Sequence, residues 1–185
     1  MKEKIKKHWS TVLLGIIVLI LLVPSWRVSF QGWIQGFMAN DIAFERNLEE
    51  EIPAQIMNQW TIQDLKQNEF EFNHFTDRPI LLSFWATWCP PCRVELKELA
   101  KLNEELGDKI HIIAVSEEAF NTVVNSGLGE TYPFLYTTSA YPNMFNIQSY
   151  PSLFILDKGG IIINKHFGAG GLDNEKNRSF LKALI

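Results

Sequence analysis

The stretch Cys89-Pro90-Pro91-Cys92 lies between two segments of different periodicity. Ahead of it, Pro79 to Trp88 reads as an apolar strand and its exit. After it, Leu96, Leu99, Leu102 and Leu106 share one helical face, with Ala100 beside them and Lys97, Lys101, Glu104 and Glu105 on the polar side. Gly107-Asp108 ends that helix, so the spacing predicts Arg93 to Leu106. The two cysteines are the only ones in the chain. Thiols at i and i+3 across a strand-to-helix junction close a small disulfide with little backbone movement. The first also sits near the unpaired N–H groups of a helix start, which stabilise a thiolate. The chain is therefore expected to build an α/β unit with a reactive dithiol at the carboxyl end of a central strand.

The rest of the body supplies the other layers. Trp60-Thr61-Ile62 reads as a short strand, Leu65 with Phe70-Glu71-Phe72 as a hairpin or a strand and turn, Ile110 to Val115 as a mostly apolar strand, and Ala119 to Ser126 as a short helix. Phe134 to Thr137 is a further short strand, and Asn143 to Ile147 a turn or short helix. Ser152 to Leu156 leads through the turn Asp157-Lys158-Gly159-Gly160 into Ile161 to Phe167, an antiparallel return. Asn177 to Leu184 closes the chain as a helix. Asp41 to Gln55, with Glu49-Glu50-Glu51, reads as a linker or loosely packed lead-in.

Charge is unevenly spread. Residues 1–39 carry five Lys or Arg and one Glu, whereas residues 40–185 carry 12 basic and 20 acidic side chains. An acidic body lacks the basic face that a nucleic-acid partner needs. At the N-terminus four lysines precede the apolar run Val12 to Val23, and no ionisable residue lies between His8 and Arg27. The 18 residues from Trp9 to Trp26 are long enough for a tilted membrane span. The tryptophans would lie at interface depth and the lysines would keep the N-terminus in the cytoplasm. A cleaved signal peptide fits the same apolar length, although no small-x-small site follows closely; a buried core helix leaves the lysine block unexplained. The resulting division is an anchor over residues 1–28, a juxtamembrane segment and linker over 29–57, where Phe30, Trp33, Ile34 and Phe37 suggest a short surface helix, and a catalytic domain over 58–185. Either anchor or signal peptide places the body outside the cytoplasm, where a disulfide persists.

Two stretches carry a family likeness. Leu82-Ser83-Phe84-Trp85-Ala86-Thr87-Trp88-Cys89-Pro90-Pro91-Cys92-Arg93-Val94-Glu95 and Tyr150-Pro151-Ser152-Leu153-Phe154-Ile155-Leu156-Asp157-Lys158-Gly159-Gly160 resemble the membrane-anchored TlpA/ResA-like thiol–disulfide oxidoreductases. The resemblance covers residues 58–185. It implies a thioredoxin-like α/β fold, a central mixed sheet flanked by helices, preceded here by one transmembrane helix. It also implies that Cys89 is the attacking thiol, open at the helix mouth, and Cys92 the buried resolving thiol. Pro151 matches the family's cis-proline. Tyr150 matches a position that tunes potential and meets substrate, and Glu95 a carboxylate that manages protons near the thiols; Trp88, directly before Cys89, is expected to meet substrate with Pro90 and Pro91. A helix-start acid satisfying N–H groups is the simpler reading of Glu95.

The departures are informative. Ser83 stands where thioredoxin carries a buried aspartate, so the base for Cys92 is Glu95, Glu117, Glu118 or water. Lys97 stands where the family often has proline. The Pro90-Pro91 pair removes two N–H groups that would stabilise a Cys89 thiolate, which favours a reducing protein. Trp85 reads as core and Trp88 as surface. His74, His111 and His166 show no ligand spacing, no second Cys-x-x-Cys exists to complete a zinc site, and Arg93 stands where covalent haem attachment needs histidine. No metal and no cofactor beyond the dithiol itself is expected. The reading is an extracytoplasmic dithiol reductase. Its partners are disulfide-containing exported proteins, with cytochrome c apoprotein thiols allowed as a client, and a transmembrane electron donor. The alternatives are a disulfide oxidase or isomerase, or a tethered binding or chaperone domain whose cysteines form an inert disulfide.

Overall fold

Ile80–Phe84 is buried at all five positions, because both faces of this strand are covered. In the computed structural model, residues 42–168 and 170–185 are described, together with Trp9, Val12, Leu14, Gly15 and Val18. The strands are β1 (Glu50–Glu51), β2 (Thr61–Asp64), β3 (Glu69–Glu71), β4 (Ile80–Phe84), β5 (His111–Ser116), β6 (Leu135–Thr137), β7 (Ser152–Asp157) and β8 (Ile161–Phe167). The helices are α1 (Ala54–Gln59), α2 (Pro90–Leu106), α3 (Phe120–Asn125) and α4 (Glu175–Ala183). One sheet runs in the order β1-β8-β7-β4-β5-β6-β2-β3. Strand β4 pairs parallel with β5 through the α2 crossover and antiparallel with β7, which makes the sheet mixed.

Alternation along β4 divides the interior. Leu81 and Trp85 face the layer built by Leu96, Leu99, Leu102 and Leu106 of α2 and Leu181 of α4. Ile80, Leu82 and Phe84 face an aromatic layer of Trp60, Phe72, Phe145 and Phe154. Burying each such leucine or phenylalanine side chain contributes about 1.5–3 kcal/mol. The fold is thus a thioredoxin-like α/β architecture with helices on a central mixed sheet.

Several boundaries move for local reasons. Helix α2 starts at Pro90 rather than Arg93, since the first turn needs no N–H partners and proline is pre-set for it. Helix α4 starts at Glu175 because Asn174 caps it, its side chain accepting the Asn177 N–H. The stretch read as a loose lead-in is docked. Phe44 is 1% exposed. Its N–H donates to Asn177 Oδ1 at 2.8 Å, while Asn177 Nδ2 donates to the carbonyls of Ile42 at 2.8 Å and Leu172 at 2.9 Å. Glu50–Glu51 then adds a strand beside β8. At the other end of α1, Gly160 holds a positive φ of 85°, and a Cβ there would lie 2.6 Å from the Met57 sulfur.

The N-terminal expectation requires correction. Among the described residues no helix is long and apolar enough to cross a membrane. A span needs about 18–20 consecutive apolar residues in one helix. Only Trp9, Val12, Leu14, Gly15 and Val18 of residues 1–41 are described, each helical. The remainder of the expected anchor and the surface helix around Phe30 to Phe37 lie outside the described residues. On the described residues, the transmembrane helix, the membrane as a partner, the membrane-anchored class, the cytoplasmic N-terminus and the extracytoplasmic placement deduced from it are therefore not borne out.

Candidate active site

The site forms where β4 ends and α2 begins. The Trp85 N–H continues the sheet by donating to the Val115 carbonyl at 3.2 Å. The chain then turns through Ala86, Thr87 and Trp88. Thr87 is gripped from two sides: its N–H and hydroxyl both donate to the Glu118 carboxylate, at 2.6 and 2.8 Å, and its carbonyl accepts from Arg93 Nε and Nη2 at 3.2 and 3.0 Å. This clamp sets where Cys89 begins the helix. Neither Thr87 nor Arg93 was legible as part of it, because Glu118 arrives from the end of β5.

Cys89 and Cys92 are joined as a disulfide, with Cα atoms 5.3 Å apart. Cys89 is the N-cap of α2, and its sulfur accepts the Cys92 N–H at 3.2 Å. Proline at the two intervening positions leaves no other N–H in that turn before Cys92. The expectation of an open Cys89 is corrected: in the disulfide form it is only 3% exposed, against 1% for Cys92. The sulfurs face one another under a rim formed by Trp88, 66% exposed, and the half-buried Pro90, Pro91 and Tyr150. Trp88 and Tyr150 meet edge to face with ring centroids 5.7 Å apart.

The Tyr150–Pro151 peptide bond is cis. The Pro151 carbonyl is already taken by the Gly168 N–H at 2.8 Å. Among the described residues, no backbone partner engages the N–H or carbonyl of Tyr150. An extended segment lying across this corner therefore meets Tyr150's groups unpaired.

Behind the disulfide, Glu95 is 3% exposed. Ser83 Oγ donates to its Oε1 at 2.5 Å, and its Oε2 has no hydrogen-bond partner. Burial pushes the Glu95 carboxyl up to about 7; the Ser83 hydrogen bond pulls it back, and the neighbouring Glu98 carboxylate adds to the rise. Glu117 is exposed and bonded to Tyr141, and Glu118 is committed to Thr87, so of the three carboxylates Glu95 alone is buried behind the cysteines. It caps no helix-start N–H. Trp85 is fully buried, with an indole N–H that also lacks a partner. His111 sits between Asp77 and Arg78, and burial pushes its imidazole below the usual range. Among the described residues no three His, Cys, Asp or Glu side chains are grouped to hold a metal.

A helix-capping disulfide at the end of a central strand, backed by a buried carboxyl, defines a thioredoxin-fold thiol–disulfide oxidoreductase whose redox activity resides in the Cys89–Cys92 pair. The protein-family model described as Redoxin matches residues 49–183, and the chain belongs to that family. It is 28% identical over 171 residues to the thioredoxin-like protein YneN of Bacillus subtilis (strain 168), covering 88% of this chain and 91% of that one. It is 29% identical over 110 residues to the thiol-disulfide oxidoreductase ResA of Bacillus cereus, covering 59% of each. Among solved structures, a thiol:disulfide interchange protein from Bacteroides sp. superposes with a TM-score of 0.60 at 21% identity, covering 74% of this chain and 88% of that one. The thio-disulfide isomerase of Thermus thermophilus gives 0.54 at 22%, covering 75% and 94%. These two likenesses establish the fold.

Proposed function

We propose that this enzyme is a dithiol reductase acting on disulfides of exported proteins, the class of protein in which disulfides persist. The observation that carries the reducing direction is the cap of α2. Cys89 sulfur receives the N–H of Cys92 and, because of Pro90 and Pro91, nothing from the two positions between. A weakly stabilised thiolate makes the reduced form less favoured and the dithiol a better reductant. Similarity to ResA, a thiol-disulfide oxidoreductase by name, supports thiol–disulfide exchange as the chemistry. The catalytic domain is residues 58–185, with the docked lead-in packed on it.

In this reading a client segment lies along Tyr150 and Pro151, its backbone engaging the unpaired Tyr150 groups, with Trp88, Pro90 and Pro91 as the contact rim. Reduction parts the two sulfurs and frees Cys89 to turn toward that rim. The Cys89 thiolate attacks one client sulfur; the client disulfide breaks and its second sulfur leaves as a thiolate that takes a proton from solvent. Cys92 then gives its proton to Glu95, and the Cys92 thiolate attacks the Cys89 sulfur. The Cys89–client bond breaks as the Cys89–Cys92 bond forms, and the electron pair departs on the client sulfur, which is protonated in turn. The client gains the two electrons that the dithiol loses.

Trapping tests the assignment. C92A should accumulate client mixed disulfides that dithiothreitol releases, and C89A should accumulate none. A barren C92A, with biological activity intact in the C89A/C92A double variant, would establish the binding-domain alternative instead. A reduction potential well above that of thioredoxin would turn the direction to oxidation or isomerisation.

A further inference from the structure

Ser83 is the one polar side chain in β4, and it is completely buried. Strand alternation sets it on the α2 side, between Leu81 and Trp85. Its hydroxyl reaches Glu95 Oε1 at 2.5 Å while Oε2 is left without a partner. Glu95 follows Cys92 by three residues on α2, a spacing that puts both side chains on one helix face, and both are buried. We propose that Ser83 is a positioning residue for the thiol–disulfide reaction: by holding Oε1 it orients the Glu95 carboxyl and reserves Oε2 for the proton exchanged with Cys92. This rests on the Glu95 role given above.

The chemistry follows from what a carboxyl offers. Its neutral form has one O–H and one carbonyl oxygen. A hydroxyl donating to Oε1 makes that atom the carbonyl, so the acid proton rests on Oε2. The terminal torsion of glutamate is broad and roughly two-fold, so without an anchor nothing fixes which oxygen turns to the sulfur. When the group is ionised, the same bond becomes charge-assisted and favours the carboxylate, the form that accepts the Cys92 proton. The groups that act on Glu95 are Ser83 from β4, Glu98 one turn along α2, and Cys92 itself once reduced; Glu98 and burial oppose ionisation and Ser83 supports it.

The test is a pH profile of single-turnover oxidation of the reduced protein by saturating insulin, between about pH 5 and 9. The step due to Glu95 should vanish in E95Q. In S83A it should remain but move upward by about one unit, a tenfold loss of ionised base at fixed pH. S83T, which keeps the hydroxyl, should restore the midpoint. A wild-type midpoint in S83A, or a shift in S83T as large as that of S83A, overturns the role of Ser83. Persistence of the whole step in E95Q overturns the Glu95 reading beneath it. Should S83A fail to fold, infrared difference spectra of the wild-type protein decide: the neutral Glu95 carbonyl should absorb at a hydrogen-bonded frequency, and a free-carbonyl frequency overturns the proposal.

Discussion

Replacing Glu95 with glutamine should change how stability depends on pH, and the size of the change follows from the site. In the disulfide form the fully buried carboxyl titrates near 7 against an ordinary value of 4.5. Between those values the native state holds a proton that the unfolded chain releases. Stability from this group is therefore fully present below 4.5 and is lost as pH rises through about 7. Two and a half pH units at 1.36 kcal/mol each amount to on the order of 3 kcal/mol, a large part of a typical domain's stability of roughly 5–15 kcal/mol. E95Q has no such group. Urea unfolding of the oxidised proteins, followed by tryptophan fluorescence, should show E95Q gaining about 3 kcal/mol on wild type from about pH 4.5 to 8. His111 and His166, both pushed down by burial, give slopes of the opposite sign in part of this window, and the raised Glu98 gives one of the same sign. These contributions are common to both proteins, so the difference between them is the informative quantity. A difference that stays flat across the window would refute the argument that Glu95 is a desolvated acid.

Asn177→Ala removes the three bonds to Phe44, Ile42 and Leu172; the Phe44 N–H is left buried without a partner, while the Ile42 and Leu172 carbonyls keep Asn174, so about 1–3 kcal/mol for the orphaned N–H and about 1 kcal/mol for each other lost bond give a loss on the order of 4 kcal/mol in urea unfolding. An unchanged midpoint would mean that the lead-in is not pinned there. Trp88→Ala should leave stability within about 0.5 kcal/mol, since the ring is exposed. The same variant should slow reduction of insulin several-fold while leaving reduction of a small disulfide such as oxidised glutathione unchanged. Equal slowing of both would move Trp88 from client contact to shaping the dithiol itself.

The sequence made the centre of this molecule readable and left its long-range ties hidden. Strand β4 and helix α2 declare themselves through continuous apolarity and 3.6-residue spacing, and the dithiol between them follows from local chemistry. The Ser83–Glu95 bond does not, because it joins a strand to a helix 12 residues on, and Ser83 read only as the loss of an aspartate. The lead-in was misread because Glu49 to Glu51 dominate its composition, while its docking depends on Ile42 and Phe44 meeting Asn177 more than 130 residues away. The shelter of Cys89 is likewise tertiary, because it belongs to the buried layer that Tyr150 packs against. The apolar run near the N-terminus was legible only as hydropathy, and no described helix bears out a span.

Both margins of the sheet end in glutamates: Glu50 and Glu51 on β1, Glu69 and Glu71 on β3, all exposed. Extra strands that approach these borders meet negative charge, which discourages stacking of one molecule on the next. On the client path proposed above, a polypeptide in search of backbone pairing is thereby turned away from the periphery, which leaves it the proline corner beside the sulfurs.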